Sequence, residues 1–317
     1  MLCTRTKIEL MLSKISFEIP IVFCADGKFI SHATATMLSV LKTNQDYSFK
    51  FYLMGNALGE SQKNAISKTV ESLGSAFEFI KLDDDTFENF PAPHHFSIAS
   101  YYRLLIPELI PSTKAIYLDA DIIMVSSMNE FLKIDLENKV LAAVADPIYK
   151  WKSDLGMKDS ASYFNSGVML INLDLWKEMD ITNKAFEFIH NHPDKIRFVD
   201  QCALNAVIDG DYLELTPRFN QQAILYREGF DFGETTWTAE QIKEAVDSPI
   251  LIHYTGPSKP WEYNSNHPRK SEYWKIQKDS PFKRNFPEGM TRVDHIKRLF
   301  PVSLKKNLKK WFSLNQG

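Results

Sequence analysis

Along the first two-thirds of the chain, unbroken apolar runs alternate with segments whose apolar residues recur every three to four positions. Residues 19–25 (IPIVFCA) predict a buried strand, closed by the polar turn Asp26-Gly27-Lys28. Residues 31–42 (SHATATMLSVLK) suit a helix with Ser31 as its N-cap. Residues 49–54 alternate as a strand, and 60–73 read as a helix that stops at Gly74. FEFIKL at 77–82 is a third strand, and IASYYRLLI at 98–106 a helix ended by Pro107. AIYLDADIIM at 115–124 is a fourth strand and VLAAVAD at 140–146 a fifth. Helices follow over about 182–190 and from Asp200 to Ile208, and PILIHYTG at 249–256 is strand-like.

Strands alternating with helices imply βαβ units: an α/β, Rossmann-like αβα sandwich around a mainly parallel sheet. In such sheets ligands bind beyond the carboxyl ends of the strands. Asp26, Asp121 and Asp146 each sit at or just past such an end.

Composition narrows the function classes. The 317 residues carry 37 basic and 40 acidic side chains, so net charge gives no reason to expect a nucleic-acid partner. Cys3, Cys24 and Cys202 are scattered and form no CxxC pair, which argues against a disulfide framework or zinc ribbon and fits a reducing cytoplasm. No apolar run approaches the ~18 residues of a membrane span, and none near the N-terminus is long enough for a signal-peptide core.

The stretch IYLDADIIM poses a physical problem. Asp119 and Asp121 interrupt an apolar run, and two nearby carboxylates repel unless a cation lies between them. Residues i and i+2 of a strand share a face, and hard oxygen ligands suit Mg²⁺ or Mn²⁺ beside a phosphate. A bare Asp-x-Asp is common and by itself reads as two hydrated acids at a strand end, a reading that the apolar flanks IYL and IIM weigh against here. IHYTGPSKPW at 252–261 adds His253 at a strand end, a Gly256-Pro257 turn and Lys259. Each alone reads as a structural histidine or a solvated lysine; together they offer a metal ligand and a phosphate charge.

Seven segments then occur in one order: IVFCAD, HFSIASYYRL, YLDADII, VAD, YFNSGVMLINLDLW, DQCALN and HYTGPSKPW. In this the chain resembles the retaining nucleotide-sugar glycosyltransferases of family 8, over roughly residues 19–277, and most of all the bacterial lipopolysaccharide α-galactosyl- and α-glucosyltransferases. The resemblance implies a glycosyltransferase A fold with a mixed sheet, in which Asp119, Asp121 and His253 hold Mn²⁺, or Mg²⁺, against the diphosphate of UDP-galactose or UDP-glucose. It places Lys259 and the Gly256 backbone on the diphosphate, and the Ala120 backbone close to the nucleotide. It places Asp26 and Phe29 at the uracil, Ala25 among the donor-binding residues, and Arg103, Asp146, Asn165 and Asp200 at the sugar hydroxyls. Gln201 falls where a double displacement would need a carboxylate nucleophile. An amide oxygen is a poor one, so the resemblance favours front-face attack, with displacement through Asp200 the alternative. Lys28 and Phe29 replace the Asn and Tyr of close relatives. His95 is a further donor or acceptor contact, and residues 149–162 form a loop on the acceptor side.

The expected organisation is an extension at 1–18, a catalytic domain at 19–280 and a basic segment at 281–317. Residues 292–317 hold seven basic residues against one acid, with Leu304, Leu308, Trp311 and Phe312 on one helix face. Such a helix suits an anionic membrane surface, or docks on the domain. The first choice implies a cytoplasmic enzyme at the inner membrane face, extending a lipid-linked lipopolysaccharide or other cell-surface glycan. A sugar nucleotidyltransferase lacks its Gly-rich triphosphate signature here, and a non-catalytic binding protein has no need of Asp119, Asp121, His253, Asp200 and Gln201 together.

Overall fold

The short, fully apolar β1 (Ile21–Cys24) lies inside a seven-stranded sheet, which is why it shows no polar alternation. The computed structural model describes residues 14–17, 19–93, 96–233, 235–291 and 294. β2 (Lys50–Gly55), β3 (Ala76–Lys81) and β4 (Lys114–Leu118) join β1 in parallel. β5 (Ile122–Met124) belongs to a second sheet. β6 (Leu141–Ala145), β7 (Phe164–Asn172) and β8 (Leu213–Glu214) complete the first, in the order β8-β6-β7-β4-β1-β2-β3. β7 is antiparallel to both neighbours, so the sheet is mixed. The reversal brings the start of β7, not its end, to the edge where β1, β4 and β6 finish.

The second sheet is small. β9 (Gln221–Gln222) pairs in parallel with β10 (Leu251–His253), and β10 runs antiparallel to β5 with His253 opposite Ile122. The expected single strand over 115–124 is therefore two strands in two sheets, and residues 119–121 are the crossing between them. The side-sharing of i and i+2 in a strand does not apply to Asp119 and Asp121.

Helix α1 (Phe29–Thr43) fixes this crossing. It is buried along most of its length, including Thr36 and Ser39. The Thr36 hydroxyl donates to the Ile122 carbonyl (2.7 Å) and lies 3.1 Å from that of Ala120. The Ser39 hydroxyl accepts from Met124 N–H (2.9 Å). These hydroxyls satisfy the open edge of β5 where no further strand pairs, each contributing about 1 kcal/mol. Ser31 is not the cap: the helix begins two residues earlier, and Ser31 donates to the Lys28 carbonyl.

Helix α2 (Glu60–Ser72) ends as expected before Gly74, which adopts φ +74°. Residues 98–105 form a 3₁₀ helix rather than an α-helix, and Pro107 falls in the first turn of a one-turn helix (Ile106–Leu109) instead of ending the segment. Helices α3 (Leu173–Glu178), α4 (Ile181–Asn191), α5 (Val199–Ile208), α6 (Ala239–Asp247) and α7 (Lys270–Gln277) follow. Two large apolar clusters flank the sheet, one holding Tyr101, Tyr117 and Trp176, the other Phe23, Phe51 and Phe131.

Both flanking segments touch the domain where they are described. Ile15 and Ser16 pair with Tyr47 and Ser48, and Phe17 is buried against Phe49. Glu288 N–H donates to the Trp261 carbonyl (2.8 Å), and Tyr263 N–H to that of Glu288 (2.8 Å). The expected amphipathic helix and His95 lie outside the described residues.

His32 of α1 stacks on Trp261 (3.5 Å, 9°) and shares a 2.8 Å hydrogen bond between Nδ1 and the Tyr273 hydroxyl. Burial holds its pKa down to about 3. The folded state thus keeps His32 neutral while the unfolded chain protonates it near pH 6.5, so its contribution is present above that pH and fades below it. Between pH 7 and 5 the wild type should lose ~2 kcal/mol more stability than His32→Gln, as read by urea unfolding at each pH. Parallel losses would show that His32 does not set the acid limit.

Candidate active site

The two sheets part at the carboxyl edge of β4, and a cleft of about 430 Å³ opens there. Ala25, Asp26, Phe29, Arg103, Asp119, Ala120, Asp121, Asp146, Asn165, Asp200, Gln201, His253, Gly256 and Lys259 all line it. The fourteen residues selected from sequence are thus brought to one place, although they span 235 positions of chain.

The strand crossing supplies the acids. Asp119 leaves β4 with its N–H bonded to the Gly167 carbonyl (2.9 Å), and the Asp121 carbonyl accepts from Tyr254 N–H (3.0 Å). His253, held across from Ile122, completes a group whose ligand atoms lie within 4.8 Å of one another. His253 Nε2 is 3.2 Å from Asp121 Oδ1 and 3.7 Å from Asp119 Oδ2. Lys259 Nζ donates to Asp121 Oδ2 (2.5 Å) and to the Tyr254 carbonyl (2.9 Å). Burial raises the Asp121 carboxyl, but Lys259 and His253 outweigh it and hold the group well below the usual carboxylate range.

A second layer links these acids to the opposite wall. Arg103, only 5 % exposed, joins Asp119 Oδ1 through Nη2 (3.1 Å) and Asp200 Oδ2 through Nε (3.2 Å). Its Nη1 donates to the Ser166 carbonyl (2.9 Å). Burial works against the guanidinium, and the two flanking carboxylates outweigh it, so Arg103 remains charged. The Tyr117 hydroxyl also donates to Asp119 Oδ1 (2.6 Å). Asp200 accepts from the Ser166 hydroxyl (2.8 Å). Its burial nevertheless pushes its pKa up to about 6, with Arg103 opposing.

Gln201 lies beside it with both ends of its amide engaged. Oε1 accepts from Ser166 N–H (3.1 Å) and Asn165 Nδ2 (3.2 Å), and Nε2 donates to Asp146 Oδ2 (3.1 Å). Val199, which opens α5, adopts φ +33°. A β-branched residue there costs about 1–3 kcal/mol and marks a constrained site entry. The helix expected from Asp200 thus begins one residue earlier, with Asp200 second in it. At the far end of the cleft, Asp26 accepts from the Ser97 hydroxyl (2.6 Å), and Phe29 packs edge-on to Trp261.

Two residues that the sequence does not single out complete the metal-type group. Gly167 lies directly behind it: a Cβ there would meet His253 Cε1 at 2.4 Å and Asp119 Oδ2 at 2.5 Å. Asn220, fully buried, accepts from His253 Nδ1 (2.9 Å) and donates to Asn165 Oδ1 (2.9 Å). Because Asn165 Oδ1 also accepts from Gly167 N–H (3.1 Å), Asn220 must present its oxygen to the imidazole. The proton then sits on Nδ1, and the Nε2 lone pair faces the two aspartates. FNQQ at 219–222 offers no periodicity that would have flagged this. Asn220→Ala should weaken divalent-cation binding at this group by about 10–100-fold, measured by titration with Mn²⁺ as the probe. Unchanged affinity would mean that β10 alone orients His253.

The donor set fits a hard divalent cation: two carboxylates, an imidazole held in the ligating tautomer, and space that only glycine leaves open. The Lys259 ammonium already neutralises part of the same charge.

Known proteins place this arrangement. A profile described as glycosyl transferase family 8 matches residues 20–265. General stress protein A of Bacillus subtilis (strain 168) is 31 % identical over 261 residues, covering 80 % of this chain and 91 % of that protein. A lipopolysaccharide 1,2-glucosyltransferase of Escherichia coli (strain K12) is 24 % identical, with 88 % and 83 % covered. The crystal structure of the galactosyltransferase LgtC, in complex with donor and acceptor sugar analogues, superposes with a TM-score of 0.75 at 27 % identity, over 85 % of this chain and 98 % of that one. The resemblance drawn from the seven ordered segments is borne out: the chain belongs to glycosyltransferase family 8 and is a glycosyltransferase.

Proposed function

We propose that the enzyme transfers galactose or glucose from a UDP-sugar to a lipopolysaccharide or related cell-surface glycan, with retention at the anomeric carbon and with Mn²⁺, or Mg²⁺, as cofactor. The observation that carries this reading is the convergence of Asp119, Asp121 and His253 with Lys259, Asp146 and Gln201 in one cleft. The LgtC likeness and the lipopolysaccharide glucosyltransferase relative support the donor and acceptor classes.

Asp119, Asp121 and His253 would hold the cation, which when bound supplies charge stabilisation to the departing UDP. Lys259 turns from Asp121 to a phosphate oxygen as the diphosphate arrives. Asp26 and Phe29, with Ala25, receive the uracil, and Asp146, Asn165 and Arg103 hold the sugar side. Gln201 Oε1 is occupied by two donors, which weakens an already poor nucleophile, and Asp200 is tied to Arg103 and Ser166 beneath it. Both facts support front-face transfer. The bond between the anomeric carbon and the β-phosphate oxygen breaks, the acceptor oxygen bonds the same face, and its proton passes to a β-phosphate oxygen. The Gln201 carbonyl dipole stabilises positive charge on the ring during the exchange.

No helix among the described residues is long and apolar enough to cross a membrane. We place the enzyme peripherally on the inner face of the cell membrane, through the basic, Trp-Phe-bearing C-terminal segment. The decisive experiment is a screen of UDP-sugars with Mn²⁺, scored by UDP release. Release from UDP-galactose or UDP-glucose alone is expected, and release without added metal would remove the assigned role of the aspartates.

A further inference from the structure

Ile148 and Trp151 are large apolar side chains left open to solvent, 43 % and 42 % exposed, on the segment that follows Asp146. Ile148 and Tyr149 line the cleft, as does Phe198 on the chain entering α5. Trp151 packs edge-on against Tyr149 (5.6 Å, 78°), and Tyr149 packs against Phe198 (5.8 Å). Arg197, next to Phe198 in sequence, lays its guanidinium over the Trp151 ring at 4.9 Å and pairs with Asp154 (3.2 Å). Two segments thus build one wall: Ile148 and Tyr149 of the first and Phe198 of the second line the cleft, and Trp151 and Arg197 meet outside that lining. The Trp151–Arg197 ledge is the outward continuation of the cleft wall.

We infer that this ledge is a subsite for sugar units of the acceptor beyond the one that receives the hexose. The inference rests on the transfer reading above. Aromatic faces take the apolar C–H side of a pyranose, and a flanking guanidinium and carboxylate serve its hydroxyls. Tryptophan and arginine are among the side chains enriched where binding energy concentrates. An anionic membrane fits less well. Arg197 is paired with Asp154, Lys158 with Asp209 (2.8 Å), and the Lys152 ammonium turns back to the Ala161 carbonyl (2.9 Å), so of these cations and the exposed Lys150 only the last is left for a phosphate.

The test uses the full chain with Mn²⁺ and UDP, titrated calorimetrically with two- and four-unit sugars: maltose and maltotetraose, cellobiose and cellotetraose. At least one tetrasaccharide should bind about threefold to tenfold tighter than its disaccharide. The preference should vanish in Trp151→Ala and persist in Trp151→Phe, which keeps a ring. If the alanine variant does not fold, Trp151→Gln gives the same reading. Absence of any length preference in the wild type, or its survival without the ring, overturns the subsite. Loss of sedimentation with phosphatidylglycerol vesicles in Trp151→Ala, with the length preference intact, assigns the ledge to the membrane and also overturns it. The two readings fail separately: a wild type that releases no UDP from any UDP-sugar yet prefers longer sugars loses the transfer reading and keeps the ledge.

Discussion

Asp121→Asn should lower turnover about 10³-fold and make UDP binding indifferent to Mn²⁺. The substitution keeps the shape of the side chain and removes its charge. Asp121 is the acid against which both His253 Nε2 (3.2 Å) and Lys259 Nζ (2.5 Å) are placed, and its carboxylate is held ionised by them. Without that charge the site keeps one carboxylate and one imidazole, too little to hold a hard cation against a diphosphate. Charge stabilisation by such a cation is worth several kcal/mol, and each 1.36 kcal/mol is tenfold in rate. The assay is UDP release with the matched donor, with UDP binding measured in Mn²⁺ and in EDTA. A variant retaining a tenth of wild-type turnover would separate Asp121 from the chemistry. Thermal unfolding of the variant, expected close to wild type because Lys259 keeps the Tyr254 carbonyl, distinguishes lost function from lost fold.

The reach of the sequence differed between the residues of this site. Asp119 and Asp121 were visible because carboxylates are costly in an apolar run, and His253 because it ends another such run. The pattern failed at the crossing itself. Apolar residues resume at Ile122 directly after Asp119 and Asp121, so the interruption does not show that the chain leaves one sheet for another there. The cause is Thr36 and Ser39 on α1, whose hydroxyls satisfy the edge of β5 from 80 or more positions away. Arg103 lines the cleft as a sugar-side residue would, but its ties to Asp119, Asp200 and Ser166, made from the 3₁₀ turn at 98–105, have no signal in the sequence. Helix interiors were legible and their ends less so: Ser31 and Pro107 each carry a terminus signal that tertiary packing overrides.

Gly167 is the residue at which that limit matters most. Within YFNSGVMLINLDLW a glycine reads as a weak point in a strand, and only the fold shows what lies in front of it. Gly167→Ala should reduce Mn²⁺-dependent UDP binding and turnover by about 10²-fold or more, while every charged or ligating side chain remains. Gly167 lies where the register of β7 against β6 shifts, but its φ is not positive, so alanine brings no local strain of the kind a positive φ would impose. Its methyl group would stand 2.4 Å from the His253 ring and 2.5 Å from the Asp119 carboxylate. Neither neighbour is free to yield: His253 is pinned by Asn220, and Asp119 by Tyr117, Arg103 and its own N–H bond to the Gly167 carbonyl. A displacement near 1 Å in a catalytic group costs about 10²-fold. Overpacking destabilises by about 1–3 kcal/mol, partly offset by the lower unfolded-state entropy of alanine, so the fold should survive a urea titration with a modest midpoint shift. Because the methyl group and Asp121→Asn disrupt one site, the double variant should be scarcely worse than Asp121→Asn alone. Near-wild-type turnover in Gly167→Ala would mean that the ligand atoms have room to spare, and fully additive losses would mean that the two positions serve different sites.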